Sequence, residues 1–114
     1  MAMKEIDLLR GTLDLLILKT ISTGAMHGYR IAARIQQLSD EVLRIEEGSL
    51  YPALYRLELQ GLVKSDWGHA ATGHRAKYYR LSTAGRKRLV TERESWARMV
   101  RAIAKVMEPT EEAG

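Results

Sequence analysis

One short stretch, residues 47–61, constrains the fold of this chain more than any other. Its apolar residues recur at spacings of three and four, which places them on one face of a helix. These residues are Leu50, Ala53, Leu54 and Leu57. Ser49 is expected to cap the start of the helix, with Pro52 in the first turn, where a proline costs little. Gly61 is expected to end it in the left-handed conformation, which leaves a core face and a contact face.

Two further helices are predicted before this stretch. Residues 6–22 are apolar around most of a helix circumference, which indicates a helix buried on more than one side. The second helix begins near His27 and carries an apolar stripe of Ile31, Ile35 and Leu38. Helix, turn and capped helix in this order are typical of a helix-turn-helix unit.

A β-hairpin is predicted directly after the capped helix. Residues 62–67 and 76–81 alternate in the period-two manner of strands, and residues 68–75 between them form a small, flexible loop. An isolated hairpin is marginally stable, so this one must pack on the helices. The expected contacts are Val63, Tyr79 and Leu81. The predicted fold class is therefore mainly α with a small β-hairpin, a winged helix-turn-helix followed by a C-terminal helix.

The last helix is predicted from Ser82 or Thr83 to about Glu108, because Pro109 follows. Its three-and-four spacing forms a seam of Leu89, Trp96, Val100, Ile103 and Met107. This helix is longer than the winged domain needs, so we expect the seam to pack against a second copy of the chain. The expected organisation is a winged domain over residues 1–81, a dimerisation helix over 82–108 and an acidic tail over 109–114.

Composition narrows the class of partner. The 114 residues carry a formal net charge of +4 and include no cysteine, which excludes disulfides and thiolate metal sites. The chain shows neither a signal peptide nor an apolar run long enough for a membrane helix, so we expect a cytoplasmic protein without a membrane partner. The positive charge favours an anionic partner.

Catalysis and metal binding have no visible set of residues. The sequence has no nucleophile elbow, phosphate loop, His-Glu-x-x-His pattern or Cys/His pair, so we expect neither an enzyme nor a bound cofactor. His27, His69 and His74 are a poor metal set, because two of them lie on one glycine-flanked loop and no thiolate accompanies them.

Four ordered motifs resemble the PadR family of winged helix-turn-helix transcriptional regulators, in its form with a short C-terminus. The motifs are GTLDLLIL at residues 11–18, HGY at 27–29, EGSLYPAL at 47–54, and KYYRL at 77–81 with AGR at 84–86. The resemblance implies a homodimer in which each recognition helix, the helix of residues 47–61, enters a major groove of DNA. It also implies that binding usually represses transcription. Ala25 departs from the proline that is common there, and Ser82 from the usual threonine.

The expected DNA contacts lie on three segments. Hydroxyl groups can reach phosphates or base edges, and arginine can pair with guanine through two hydrogen bonds. On the recognition helix the candidates are Ser49, Tyr51, Pro52, Tyr55 and Arg56; at the start of the second helix they are His27, Gly28 and Tyr29; and on the wing they are His74, Arg75 and Lys77.

For several of these residues, a role without DNA contact is the alternative interpretation. Tyr55 could lie at the rim of the core, and Arg56 could be a solvated charge. His27 could serve packing alone, and the loop that holds His69 could be solvated without touching DNA.

Trp96 admits two interpretations. It could be an aromatic residue of the dimer core, which helical spacing favours. It could instead flank a planar aromatic effector together with its symmetry mate, with Met99 and Val100 lining the site. The favoured function is a sequence-specific DNA-binding repressor, a homodimer on a pseudo-palindromic operator. The alternative is a winged-helix module for protein–protein assembly, which would show no duplex preference.

Overall fold

The computed structural model describes residues 10–110 and shows four helices with a small sheet. The helices are α1 (Arg10–Ile21), α2 (Gly28–Leu38), α3 (Glu47–Leu59) and α4 (Thr83–Met107), and the strands are β1 (Met26–His27), β2 (Val63–His69) and β3 (Arg75–Leu81). The strands are antiparallel in the order β1, β3, β2. The predicted fold class, a mainly helical winged helix-turn-helix, is confirmed. The expected first helix began at residue 6, and residues 6–9 lie outside the described part of the chain.

The core lies where α1, α2, α3 and the sheet meet. Helix α1 is apolar on most sides and contributes Leu13, Ile17, Leu18 and Ile21, all buried. Helix α3 contributes the four apolar residues that its spacing predicted, and Val63, Tyr79 and Leu81 from the hairpin are buried as expected. On α2 the buried stripe ends at Ile35, whereas Leu38, expected in the core, is 62% exposed. Burial of one face of each element leaves the other face of α3 open to solvent.

The start of α3 differs from the prediction. Helix α3 begins at Glu47, and the preceding Glu46 makes no capping side-chain hydrogen bond to any residue that the structure describes. Ser49 is therefore inside the helix, where its N–H donates to the Glu46 carbonyl at 3.0 Å, and its predicted capping role is wrong. Pro52 consequently lies in the second turn, and because it has no N–H it cannot bond the Gly48 carbonyl one turn earlier.

The end of α3 matches the prediction. Gly61 has a φ of 74°, in the left-handed region that only glycine adopts without strain. Its N–H donates to the Glu58 carbonyl at 3.0 Å, and the N–H of Leu62 donates to the Leu57 carbonyl at 3.0 Å. This pair of hydrogen bonds is a Schellman motif, which satisfies the last carbonyls of the helix and turns the chain into β2.

The hairpin is longer than expected and gains a third strand. Its register pairs Val63 with Leu81 at one end and His69 with Arg75 at the other, so the tip is only residues 70–74. The two-residue strand β1 pairs with β3, with His27 opposite Tyr78. A strand this short carries no periodicity, and the sequence could not reveal it. Its pairing fixes the start of α2 beside the wing.

Helix α4 is joined tightly to the winged domain and then leaves it. Ser82 caps α4 as predicted, because its Oγ accepts from the Gly85 N–H at 2.9 Å, and it also donates to the Gly61 carbonyl at 2.6 Å. Gly85 packs so closely that a Cβ there would lie 2.0 Å from the Leu62 carbonyl oxygen. Leu89 is the last buried residue on α4, and residues 90–107 are exposed or partly exposed. The last 18 of its 25 residues therefore extend away from its own core.

Candidate nucleic-acid interface

The outward face of α3 is formed by residues that the core spacing leaves out. Ser49 and Pro52 are exposed, and the Tyr55 side chain is 62% exposed, so Tyr55 is not a rim-of-core residue. Successive members lie three residues apart, so Pro52 neighbours both of the others, while Ser49 and Tyr55 are about 120° apart around the helix axis. This face has two hydroxyl groups and a proline ring available to a partner.

Arg56 points to a different side of α3 from the one that the sequence suggested. Its Nη2 donates to the Asp14 carboxylate of α1 at 2.9 Å, and the two side chains are only 25% and 21% exposed. A charge-assisted hydrogen bond in a partly buried position holds the guanidinium against α1. Arg56 is thus neither a solvated charge nor on the outward face with Tyr55.

His27 caps α2. Its Nδ1 accepts the backbone N–H of Arg30 at 3.2 Å, and its ring lies between Tyr29 and Tyr78, with centroid distances of 6.5 Å and 5.5 Å. Because Nδ1 is the acceptor, the ring proton belongs on Nε2, which remains a donor. His27 therefore has a structural role and still presents a donor at the start of a helix, where backbone N–H groups favour an anion.

Tyr51 lies directly over Gly28, the first residue of α2. A Cβ at Gly28 would lie 2.8 Å from Cε1 of the Tyr51 ring, closer than real Cβ contacts allow. The glycine thus permits the recognition helix and the start of α2 to approach each other. Tyr51 keeps 45% of its surface exposed at this junction.

A groove of about 390 Å³ joins these segments to the wing. Five of the predicted DNA-contacting side chains line it together with Trp67: they are His27, Tyr29, Tyr51, Arg75 and Lys77. Sequence reasoning did not name Trp67 as a contact. The alternation along β2 could have found it, because Trp67 pairs with Lys77 across the hairpin. The Arg75 guanidinium lies 4.5 Å from the centre of the Trp67 ring, a cation–π contact that orders the cation on the wing.

Lys77 is held by an acidic residue of α3. Its Nζ is 3.6 Å from the Glu58 carboxylate, which also accepts a hydrogen bond from the Ser65 hydroxyl at 2.7 Å. Burial raises the pKa of the neighbouring Tyr79 hydroxyl, and the negative charge of Glu58 and the proximity of Tyr51 raise this pKa further. These contacts fix the hairpin against the recognition helix.

The remaining wing histidines are apart from the groove. His69 ends β2, and His74 lies in the exposed tip, where its backbone carbonyl accepts from Ala70 at 2.8 Å. Neither lines the groove that joins α2, α3 and the wing. Within residues 10–110, no cluster of three metal-binding side chains occurs. None of the helices in that range is long and apolar enough to cross a bilayer.

Helix α4 exposes a second, apolar surface. The exposed large apolar residues of its last three turns, called here the α4 seam, are Trp96, Met99, Val100, Ile103, Val106 and Met107. Leu89, which the sequence grouped with this seam, is instead 8% exposed in the core of its own protomer. Val106 was missed, although it continues the three-and-four spacing from Met99 and Ile103. The Trp96 side chain is 51% exposed and lies within this row of exposed apolar residues, as is typical of a surface that binds a partner.

The helices and hairpin, with tyrosines and cations along one groove, define a winged helix-turn-helix protein. The family model described as the transcriptional regulator PadR-like family matches residues 17–91. The chain therefore belongs to the PadR-like family of transcriptional regulators, which are regulators and not enzymes.

Relatives and solved structures agree with this assignment. Transcriptional regulator Rv3488 of Mycobacterium tuberculosis is 33% identical over 94 residues, which cover 82% of this chain and 84% of the relative. A transcriptional regulator from Clostridium thermocellum is 35% identical with a TM-score of 0.77, covering 84% of this chain and 93% of that one. A PadR family regulator from Eggerthella lenta is 33% identical with a TM-score of 0.71, covering 89% and 86%.

Proposed function

We propose that this regulator is a homodimeric repressor that binds a pseudo-palindromic DNA operator. The observation that carries the proposal is the groove that brings Tyr29, Tyr51 and the wing cations Arg75 and Lys77 beside the exposed face of α3. Tyrosine hydroxyls and cationic side chains are typical phosphate contacts, whereas the outward face of a recognition helix reads base edges. In this arrangement, the side chains that line the protein groove contact the DNA phosphates while α3 lies in the major groove of the DNA.

The α4 seam supports the dimer. A row of exposed apolar residues along a helix that has left its own core needs a partner surface, and a two-fold dimer supplies an identical one. The pairing would place two copies of α3 on the same side of the assembly. Two equivalent recognition helices require an operator with two-fold symmetry, with half-site centres about one helical turn, roughly 10 base pairs, apart or a multiple of that spacing.

Trp96 is proposed first as part of the dimer core. The second proposal is that a planar aromatic effector binds between the two Trp96 rings and releases the operator. Trp96→Ala separates these proposals, because loss of core packing should dissociate the dimer, whereas loss of an effector site should leave the dimer intact and abolish the response to such compounds. Trp67, which lies in the DNA-facing groove, gives an internal fluorescence control outside the seam.

Genome-wide recovery of bound DNA followed by footprinting of the strongest site tests the function. We expect protection with a dyad and an affinity that falls steeply as salt rises, because the protein releases counterions from the phosphates. The absence of any duplex preference would instead support a module for protein–protein assembly. A footprint without a dyad, or a monomer at micromolar concentration, would contradict the dimer.

A further inference from the structure

Two ion pairs hold the recognition helix from opposite edges. Arg56 pairs with Asp14 of α1 at 2.9 Å, and Glu58 pairs with Lys77 of the wing at 3.6 Å. Residues two positions apart in a helix point about 200° apart around its axis. One pair therefore ties α3 to the core helix and the other ties it to the hairpin.

The arc of α3 between these two pairs is the exposed arc. Pro52 and Tyr55 lie on it, and Ser49 projects from the first turn. Rotation of α3 about its own axis would strain both pairs, so they act together with the buried apolar face of α3 in holding the same side chains outward. The Arg56 pair is the less exposed of the two, at 25% and 21% against 38% and 35% for the other.

Arg56 is poorly placed to read a base. To reach the major groove, its guanidinium would give up a charge-assisted hydrogen bond to a partly buried carboxylate. Water and salt screen such a pair much less than they screen an exposed one, so separating it is unfavourable. Ser49 and Tyr55 can reach bases through their hydroxyls without this loss, and Pro52 can do so through apolar contact with a thymine methyl.

We propose that Arg56, through Asp14, is a positioning residue that sets the rotation of the recognition helix, and that Ser49, Pro52 and Tyr55 determine base preference. This inference rests on the proposed DNA-binding function and goes beyond it, because it assigns specificity to three side chains and removes it from the arginine. Disturbing the pair should then weaken binding to every operator alike.

A double-mutant cycle on DNA affinity tests the proposal. Arg56→Ala and Asp14→Asn are made singly and together and titrated against the operator and against single-base variants of it. We expect each single change to lower affinity by about tenfold for all sequences, with the double mutant no weaker than the weaker single mutant. The logarithmic salt slope should stay as in the wild type, because no phosphate contact is lost.

The matched control is the exposed pair of Arg80 and Asp66, which also joins an arginine to an aspartate, at 3.4 Å. Arg80→Ala and Asp66→Asn remove the same charges from the hairpin without touching α3. They should show no coupling in DNA affinity. Coupling of equal size in this control would overturn the positioning role, since it would show that charge alone is being measured.

Arg56→Lys covers the case in which the alanine variant fails to fold. Lysine keeps the charge but lacks the planar fork. If Arg56 positions α3, affinity falls uniformly and base preference is unchanged, with the same folded fraction in thermal unfolding as the wild type. Relaxed preference at a single position of each half-site would overturn the proposal and make Arg56 a base reader. A rise in affinity and in salt slope for Asp14→Asn would also overturn it, because it would show a phosphate-binding arginine held back by Asp14.

Different results would overturn the positioning role of Arg56 and the proposed DNA-binding function. If the wild type binds its operator but the variants change base preference, only the positioning role is lost. If the wild type shows no preference among duplexes, the proposed function is overturned, and the positioning role with it.

Discussion

The ring of Tyr51 on α3 occupies the space that a side chain at Gly28 on α2 would need, with 2.8 Å between its Cε1 and the position of a Cβ. The contact joins the recognition helix to the helix start that His27 caps. The distance between α3 and the start of α2 therefore depends on the absence of a side chain at Gly28.

Gly28→Ala should therefore displace Tyr51 and lower the free energy of unfolding by about 1–3 kcal/mol, the usual cost of overpacking. DNA affinity should fall as well, because Tyr51 lines the proposed phosphate-binding groove. Urea unfolding and operator titration measure the two effects. Gly48→Ala is the control for stability, since a Cβ there meets open space, and it should leave stability equal or higher. Wild-type stability in Gly28→Ala would mean that Tyr51 moves aside without cost.

Arg75→Ala should reduce the salt dependence of DNA binding. If the wing cation contacts one phosphate, the logarithmic salt slope should fall by about one unit, with affinity lowered for all sequences. Arg80→Ala is the matched control, because Arg80 alternates with Tyr79 along β3 and does not line the groove with Arg75. Fluorescence anisotropy at several salt concentrations gives both slopes. Equal slopes for Arg75→Ala and the wild type would take Arg75 off the DNA.

Ile103→Glu should dissociate the proposed dimer. Ile103 is 53% exposed in the protomer and lies within the α4 seam, so pairing would bury the new carboxylate at an apolar surface. Val90→Glu provides the comparison, because Val90 is 57% exposed on α4 but lies to one side of the seam. Sedimentation velocity at micromolar concentration should show a monomer for the first variant and a dimer for the second. The reverse result would move the interface to another face.

Tyr79 should make stability fall at alkaline pH. Its folded-state pKa is raised above the ordinary value of 10.0 by burial, Glu58 and Tyr51. The neutral hydroxyl is favoured in the fold, so its contribution is complete below about pH 10 and is lost as the pH rises through the raised pKa. Each proton released only on unfolding changes the unfolding free energy by at most about 1.4 kcal/mol per pH unit. Urea unfolding between pH 9 and 11 should show a shallower decline for Tyr79→Phe, and an identical decline would assign the effect to other groups.

The elements with strong periodicity could be predicted from the sequence. Helix α3, the hairpin and α4 occupy nearly the expected residues, because apolar spacing and the glycine at position 61 report on local structure. The start of α3 could not be placed, since Ser49 is a good capping residue by type and the chain begins the helix two residues earlier. Capping preference is weak where packing of the following turns decides the start.

The contacts of the site were less predictable than its segments. The groove joins six of the expected DNA contacts, yet the pairing of Arg56 with Asp14 spans 42 positions and leaves no local pattern. Leu89 fitted the α4 seam by spacing but lies where α4 still covers the core. Sequence spacing identifies which side chains share a face, and only the packed structure shows what that face meets.

The hydrogen bond from the Ser82 hydroxyl to the Gly61 carbonyl ties the start of α4 to the end of α3. Because the rest of α4 extends beyond the core, it can act as a lever arm on this junction. The 18 residues of α4 that follow Leu89 extend about 27 Å from the core, at 1.5 Å per residue. The short end of this lever is tied to the turn that closes α3. In the proposed dimer, a tilt of about 5° in one such arm would displace its far end by roughly 2 Å. A fixed crossing angle between the two α4 helices would in turn fix the separation of the two α3 helices. In the proposed dimer, the Ser82 hydroxyl would therefore couple the position of α4 to the end of α3.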